Sequence, residues 1–229
     1  MAPTFKALVE DGYRVIRYDT YGRGYSARPE VDYNQALFTQ QIDDLLEALG
    51  VTEPIHIAGV SMGGAIVTEY TVAYPEKVAK VVLVDPYNNA TDISVLAWPV
   101  IGEYIINVLI ALSMAGGQLD DFYQPERYAG WAEKFEVQMQ YKGFKRAILS
   151  TIRHYVLEDK LPAFTQLGEL NKPVMLIWGK QDQAGPFSGN ERIRAVRDTE
   201  FVAVDDAGHL PHYEKPELVN ARILGFLDE

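Results

Sequence analysis

Short runs of apolar, mostly β-branched residues recur along the chain and are separated by longer stretches with helical spacing. Runs of this kind, bounded by glycine, proline and turn residues, are typical of buried strands. The runs that we predict to be strands cover residues 13–19, 54–60, 78–85, 173–179 and 200–206.

Helical patterns occupy the intervals, at residues 34–49, 62–74 and 216–227. Alternation of strands and helices predicts a mainly parallel sheet covered by helices on both faces, a three-layer α/β/α sandwich. Residues 86–165 interrupt this alternation with helix-like sequence that contains no clear strand. We therefore expect an α/β core made of residues 1–85 and 166–229, and a helical cap or lid inserted at 86–165.

One serine lies among three glycines where the strand at 54–60 passes into a helical pattern. The stretch reads "GVSMGG" and places Gly59, Gly63 and Gly64 around Ser61. A sharp strand-to-helix turn requires close backbone approaches, which side chains at the glycine positions would obstruct. A serine on such a turn is presented as a nucleophile beside free N–H groups of the helix. The alternatives are a plain tight turn and a phosphate-binding loop in which Ser61 only caps the helix.

A serine nucleophile needs a base, and the base needs a carboxylate that holds its tautomer. Asp182 follows the strand at 173–179, and His209 follows the strand at 200–206, so both are expected at the same sheet edge as Ser61. His212 is close in sequence but lacks the preceding glycine that would expose it. Asp205 and Asp206 are better explained as turn formers.

Composition narrows the classes of partner and cofactor. The formal net charge of −11 disfavours binding to nucleic acid. The absence of cysteine excludes disulfides and thiolate metal sites, and the four histidines are scattered, so we expect neither a metal nor another cofactor. The polar residues within 97–117 argue against a transmembrane span, and Lys6, Glu10 and Asp11 argue against a secretory signal. A cytoplasmic location is the default expectation.

Several motifs occur together in one order: "YDTYGRGYSARP", "GVSMGG", "LVDP", "IWGKQD" and "AGHLPHYEKPE". With these motifs the chain resembles the α/β-hydrolase superfamily, in its lipase, esterase and C–C hydrolase branch. The resemblance implies Ser61 as the nucleophile, His209 as general base and acid, Asp182 as the orienting carboxylate and the Met62 N–H as one oxyanion donor. Some lipases of this fold carry their acid at the position of Asp85, which remains an alternative to Asp182.

The sequence departs from the family at its beginning. Complete members have further strands and an "HG" loop before the segment that starts here at residue 1, and that loop supplies the second oxyanion N–H. We expect the strand at 13–19 to pair directly with the strand at 54–60 and the chain to form a homodimer. The loop 20–24 would then offer a replacement donor, the N–H of Tyr21 or of Gly22.

These features predict a serine hydrolase that cleaves carboxylic esters with hydrophobic acyl or aryl groups, a small-molecule substrate. A C–C bond hydrolase or a cofactor-free perhydrolase would use the same triad, and a catalytically silent scaffold that binds a ligand or a protein is the alternative from another class. An apolar stretch of the cap is expected to line the substrate site with side chains of Trp98, Ile101, Tyr104, Ile105, Val108 and Leu109.

Overall fold

The computed structural model describes residues 3–88, 94–106, 114–194 and 199–229. These residues form one parallel four-stranded sheet whose spatial order, β1-β2-β3-β4, follows the chain. The strands are β1 (Ile55–Val60), β2 (Val78–Val84), β3 (Val174–Gly179) and β4 (Thr199–Val204).

Helices surround the sheet and fill the region between β2 and β3. The α-helices are α1 (Pro3–Glu10), α2 (Gln35–Ala48), α3 (Met62–Ala73), α4 (Ile101–Tyr104), α5 (Met114–Gly117), α6 (Trp131–Met139), α7 (Phe144–Thr151), α8 (Leu161–Glu169), α9 (Asn190–Arg194), α10 (Pro211–Glu214) and α11 (Pro216–Asp228). Short 3₁₀ segments occur at Pro75–Lys77, Ser94–Ala97, Pro125–Tyr128 and Phe187–Gly189, and a π-helical turn at Ile152–Val156.

Alternate residues of the strands enter two separate cores, because successive side chains of a strand point to opposite faces of the sheet. Leu83, Leu176 and Trp178 pack on one face with residues of α2, α3 and α8. Val84 and Ile177 pack on the other face with residues of α11 and with α1. The chain thus has the predicted α/β/α layers, with the sheet buried between them.

Most of the predicted elements are confirmed, with ends that differ by one or two residues. β1 to β4 correspond to the predicted strands at 54–60, 78–85, 173–179 and 200–206, and the predicted helices correspond to α2, α3 and α11. The prediction of a strand at 13–19 is wrong: the segment forms neither helix nor strand. The predicted pairing of this segment with β1 is therefore also wrong, since the pairing found for β1 is with β2.

A cavity of about 510 Å³ separates residues 13–20 from β1. Apolar residues of α1, α2, α3 and α11 line its two faces. β3, which has a strand on each side, is buried at every position, whereas His56 and Ala58 of β1 are exposed. In the described part of the chain, β1 is therefore an edge strand beside an open slot, which we call the edge slot.

Hydrogen exchange followed by mass spectrometry should report the edge slot directly. None of the N–H groups of residues 14–19 donates a hydrogen bond to another described residue. We expect these amides to exchange fast and those of β3 to exchange slowest, because β3 is paired on both edges. If a second chain fills the slot, as the expected homodimer could, protection of residues 14–19 will rise with protein concentration. Protection equal to that of β3 at every concentration would contradict an open slot.

The region predicted as a cap contains helices and turns and no strand within its described residues. It contains two small clusters of packed side chains. One is aromatic, with Phe122 against Tyr128 and Trp131, and the other is aliphatic, with Leu96, Ile106 and Leu149. Within the described residues, no helix combines the length and the apolar character needed to cross a bilayer.

Candidate active site

Four polar residues follow the four strands at the carboxyl edge of the sheet. Ser61 comes directly after β1, and Asp85 directly after β2. Asp182 lies three residues after β3, and His209 lies in the loop that follows β4. The carboxyl ends of parallel strands meet at one edge, which is where α/β proteins place their ligand sites.

The turn at Ser61 is strained in the way that a sharp strand-to-helix turn requires. Ser61 has φ 52° and ψ −122°, an unfavourable backbone conformation for a residue with a side chain, and α3 begins at the next residue. Its N–H donates to the Val84 carbonyl at 3.0 Å, and its carbonyl accepts from the N–H groups of Gly64 and Tyr87. These bonds to the end of β2 and to the chain beyond it hold the turn in place.

The glycines around Ser61 have unequal roles. A Cβ at Gly59 would lie 2.2 Å from the Gly63 carbonyl oxygen, and one at Gly64 would lie 2.6 Å from Pro86 Cβ. A Cβ at Gly63 would meet nothing within 4 Å. The prediction that a side chain would be obstructed is therefore confirmed at Gly59 and Gly64 and is wrong for Gly63.

Alanine substitutions at Gly59 and Gly63 should distinguish the steric effect of a methyl group in the turn from the effect of glycine on helix stability. We expect Gly59→Ala to lower the free energy of unfolding by about 1–3 kcal/mol, because the backbone of the turn must move to admit a methyl group. Gly63→Ala is the matched control and should stabilise the helix by up to about 1 kcal/mol. Urea unfolding of both variants measures the difference. Equal stabilities for the two variants would mean that the turn is loosely packed.

Asp182 and His209 form a buried hydrogen-bonded pair. His209 Nδ1 lies 2.8 Å from Asp182 Oδ2, and the two residues are only 7% and 6% exposed. The other oxygen, Asp182 Oδ1, accepts from the N–H groups of Ala184 and Gly185 at 2.8 and 2.9 Å. The partner of His209 in this bond is thus Asp182 and not the alternative, Asp85. An acceptor at Nδ1 fixes the tautomer that leaves Nε2 free to take up a proton.

Close contacts between neighbouring loops position the imidazole. A Cβ at Gly179 would lie 2.0 Å from the Gly208 carbonyl oxygen, so the end of β3 touches the loop that carries His209. Gln181 joins the same two loops, since its N–H donates to the Ala207 carbonyl and its Oε1 accepts the Ala207 N–H.

Two acidic residues that the sequence did not single out support the same loop. Glu214 Oε2 accepts the Gly208 N–H at 2.6 Å, and the His209 N–H donates to the Asp121 carbonyl at 2.7 Å. Burial raises the pKa of the Asp121 carboxyl. Glu214 lies within the motif "AGHLPHYEKPE", so its role beside His209 could have been predicted from the sequence. Asp121 belongs to the region between β2 and β3, where no motif indicated a role for it.

The Ser61 hydroxyl makes no hydrogen bond to the His209 imidazole among the described residues. In structures without substrate such bonds are often long, and they shorten in the substrate complex. The Met62 N–H, at the start of α3, donates to no other described residue, as an oxyanion donor requires.

The predicted second oxyanion donor is not available at either proposed position. The Tyr21 N–H donates to Gln41 Oε1 at 2.8 Å, and the Gly22 N–H donates to the Ala27 carbonyl at 3.0 Å. The loop 20–24 is thus folded on itself and against α2. We correct the expectation accordingly, because an N–H that is already bound cannot also stabilise an oxyanion.

The predicted substrate-contacting residues of the cap differ in exposure. Trp98, Ile101 and Tyr104 are 61%, 42% and 59% exposed, whereas Ile105 packs against a small buried cluster of the cap. Val108 and Leu109 lie outside the described residues. The role of these residues in substrate binding stays a prediction.

The competing residues beside the pair have other environments. Asp205 is exposed and forms an ion pair with Lys180, and Asp206 lies in a turn with φ 52°. His212 is buried in α10, and burial together with the nearby His209 lowers the pKa of its imidazole to about 4. Its Nδ1 has no hydrogen-bond partner among the described residues.

The lowered pKa of His212 predicts a specific loss of stability in acid. Between pH 6.5 and pH 4 the unfolded chain binds a proton at this residue that the folded chain excludes, so stability is present above pH 6.5 and is lost as the pH falls. The loss at pH 4 should reach about 3 kcal/mol. Urea unfolding at pH 7 and pH 4 should therefore show a smaller decrease for His212→Gln than for the wild type. Equal decreases would show that His212 is protonated in the folded protein.

Asp85, Asp182 and His209 place one ligand-type atom each within 4.8 Å of the others. His209 Nδ1 and both oxygens of Asp182 already take part in hydrogen bonds within the protein. The geometry therefore fits a proton-transfer pair better than a cation site, and we assign no metal to it.

Similar proteins of known name include hydrolases of two kinds. The chain is 27% identical over 228 residues to a 2-hydroxy-6-oxononadienedioate/2-hydroxy-6-oxononatrienedioate hydrolase of Klebsiella pneumoniae, covering 96% of this chain and 78% of the relative. It is 25% identical to lipase 1 of Psychrobacter immobilis, covering 89% of this chain but only 65% of that lipase.

Solved structures share the fold of this chain at low sequence identity. A bromoperoxidase from Bacillus anthracis superposes with a TM-score of 0.84 at 22% identity, covering 99% of this chain and 86% of that one. An enol-lactonase from Burkholderia xenovorans gives 0.83 at 22% identity, covering 100% and 85%. At the level of families, the sequence profile described as "Alpha/beta hydrolase family" matches residues 2–222.

Proposed function

Because this chain belongs to the alpha/beta hydrolase family, we propose that it is a serine hydrolase that cleaves carboxylic esters with hydrophobic acyl or aryl groups. Ser61 would be the nucleophile, His209 the general base and acid, and Asp182 the carboxylate that orients the imidazole. The proposal is supported above all by the buried 2.8 Å bond between Asp182 and His209 at the sheet edge that also presents Ser61.

In acylation, the Ser61 hydroxyl attacks the ester carbonyl carbon while His209 Nε2 takes the hydroxyl proton. Negative charge develops on the carbonyl oxygen, and the free N–H of Met62 together with the first turn of α3 stabilises it. His209 then returns the proton to the leaving alcohol. In deacylation, a water molecule attacks the carbonyl carbon of the acyl-enzyme while His209 Nε2 takes its proton. The proton then passes to the Ser61 oxygen as the acid leaves.

Among the residues that the structure describes, the Met62 N–H is the oxyanion donor that we can name. Loss of one of two donors lowers turnover by about 10² to 10³-fold in enzymes of this type. We therefore propose that a second donor, where one is supplied, contributes to turnover by a comparable factor.

Exposed aromatic and aliphatic side chains of the cap support a hydrophobic substrate. Trp98, Ile101 and Tyr104 present a cluster of large apolar side chains close together in sequence, which is typical of ligand or partner contacts. The net charge of −11 adds a general preference for neutral over anionic substrates.

C–C bond hydrolysis is the second candidate, and the names of relatives favour it. Apart from the Klebsiella protein, a 2-hydroxy-6-oxo-6-phenylhexa-2,4-dienoate hydrolase of Comamonas testosteroni is 26% identical to this chain. A perhydrolase with the same triad is a third, since the bromoperoxidase shares the fold.

A substrate panel tests these candidates. We expect saturable hydrolysis of p-nitrophenyl acetate and butyrate, and slower or no hydrolysis of a 2-hydroxy-6-oxo-dienoate. The reverse order would replace ester cleavage by C–C cleavage, and peroxide-dependent turnover alone would indicate a perhydrolase. A folded protein inactive on every substrate would favour the silent binding scaffold.

A further inference from the structure

Asp85 is a buried carboxyl group that the proposed reaction does not use. It directly follows β2 in a left-handed backbone conformation, φ 40°, and is 1% exposed. Its N–H donates to the Ile177 carbonyl at 2.9 Å, and its Oδ1 accepts the Gly179 N–H at 2.9 Å. The backbone thus holds this side chain next to the Asp182–His209 pair, with one ligand-type atom of each of the three residues within 4.8 Å of the others.

The second carboxyl oxygen of Asp85, Oδ2, accepts no hydrogen bond from the described residues. Asp85 Oδ2 is buried without a partner among the described residues, although a carboxyl oxygen of Asp182 lies within 4.8 Å of a carboxyl oxygen of Asp85. Two ionised carboxylates only accept hydrogen bonds, so they cannot bond to each other. One proton between them would satisfy the unpaired oxygen and remove the repulsion.

Asp182 is the partner that must stay ionised. It accepts bonds from two backbone N–H groups, those of Ala184 and Gly185, and one from the imidazole, and hydrogen bonds of this kind favour the charged form. Among the described residues, Asp85 accepts a bond from the Gly179 N–H alone, so the proton belongs on Asp85.

We propose that Asp85 is retained as a carboxylic acid whose hydroxyl donates a hydrogen bond to the Asp182 carboxylate, and that it acts as a positioning residue for the Asp182–His209 pair. This role rests on the proposed function, because it concerns the same triad. The donated bond would be the fourth to the Asp182 carboxylate, beside those from Ala184, Gly185 and His209. It also keeps one negative charge, not two, close to the imidazole.

The charges around Asp85 agree with the neutral form. Burial, followed by the Asp182 charge, raises the pKa of Asp85 well above its ordinary value. The carboxylate of Glu214 in α10 acts in the same direction. The titratable groups that surround the neighbouring imidazole are Asp182, Asp121 and His212. In the described part of the chain, no lysine or arginine forms an ion pair with Asp85 or Asp182.

The pH profile of kcat/KM for p-nitrophenyl acetate distinguishes a neutral from an ionised Asp85. Asparagine is the neutral isostere, and its amide can accept from Gly179 and donate to Asp182. We expect Asp85→Asn to leave the acidic midpoint of the profile within about 0.3 pH unit of the wild type. An ionised Asp85 within 4.8 Å of the imidazole would stabilise its protonated form. In that case removing the charge would lower the midpoint by about 1 unit or more, which would overturn the proposal.

Asp85→Ala tests the positioning role. Without the donated bond, Asp182 can shift, so we expect kcat to fall about tenfold with KM unchanged, and Asp85→Asn to recover most of that loss. A loss of kcat that is equal in both variants, or a change confined to KM, would contradict positioning through Asp182.

A measurement on the unmodified protein keeps the proposal testable if a variant fails to fold or the enzyme proves inactive. In protein labelled with ¹³C at aspartate carboxyl groups, NMR should show one aspartate that remains protonated at pH 7. Finding every aspartate ionised at pH 7 would overturn the proposal even if Ser61-dependent hydrolysis is observed. A protonated aspartate in a protein without such hydrolysis would instead overturn the proposed function alone.

Discussion

Replacing Ser61 with alanine should lower kcat for p-nitrophenyl acetate by about 10⁶-fold, the size of loss seen when a triad nucleophile is removed. The reason is local, because the elbow at φ 52° presents one hydroxyl at the sheet edge that carries the Asp182–His209 pair. Steady-state rates of highly purified protein measure the effect, and circular dichroism checks the fold.

Ser188→Ala is the matched control for the loss of a serine hydroxyl. Ser188 is exposed and lies in a short 3₁₀ segment, so its removal should leave the rate within about twofold. A Ser61→Ala variant that keeps more than about one tenth of the wild-type rate would show that the observed hydrolysis does not use this residue.

Asp182→Asn should lower kcat by about 10⁴-fold with little change in KM. The amide oxygen can still accept from Ala184 and Gly185, which leaves the NH₂ group facing His209 Nδ1. The imidazole must then accept at Nδ1 and carry its proton on Nε2, the atom that should take the proton of Ser61. The variant keeps its shape and loses the productive tautomer.

Asp205→Asn provides the comparison for this substitution. Asp205 forms an exposed ion pair with Lys180, so its loss should change both kcat and stability very little. Nearly full activity in Asp182→Asn would mean that the 2.8 Å bond to His209 has no part in the reaction, and that another acid or base operates.

The sequence predicted the sheet well where strands have partners within the chain. The apolar runs of β2 and β3 are buried on both faces, and such runs read clearly as strands. The run at 13–19 also contains β-branched and aromatic residues but has no neighbouring strand in the described part of the chain. An extended segment becomes a strand only through hydrogen bonds to a partner. Local pattern could not foresee that its predicted partner, β1, would lie across a cavity.

The candidate site divides in the same way. Ser61, Asp182 and His209 stand in recognisable motifs at strand ends, and parallel topology alone brings those ends together. Which N–H groups are free could not be predicted, because the bonds that occupy Tyr21 and Gly22 come from Gln41 and from the folding of their own loop. The support from Asp121 likewise depends on how the residues between β2 and β3 pack against the loop that carries His209.

Labelling with a fluorophosphonate probe, followed by peptide mass spectrometry, tests the central claim most directly, since only an activated serine reacts readily. We expect a single adduct, on Ser61, that is absent from Ser61→Ala and forms far more slowly in His209→Ala. Stable, folded protein that acquires no adduct, or acquires it on another serine, would contradict the assignment of Ser61 as the nucleophile.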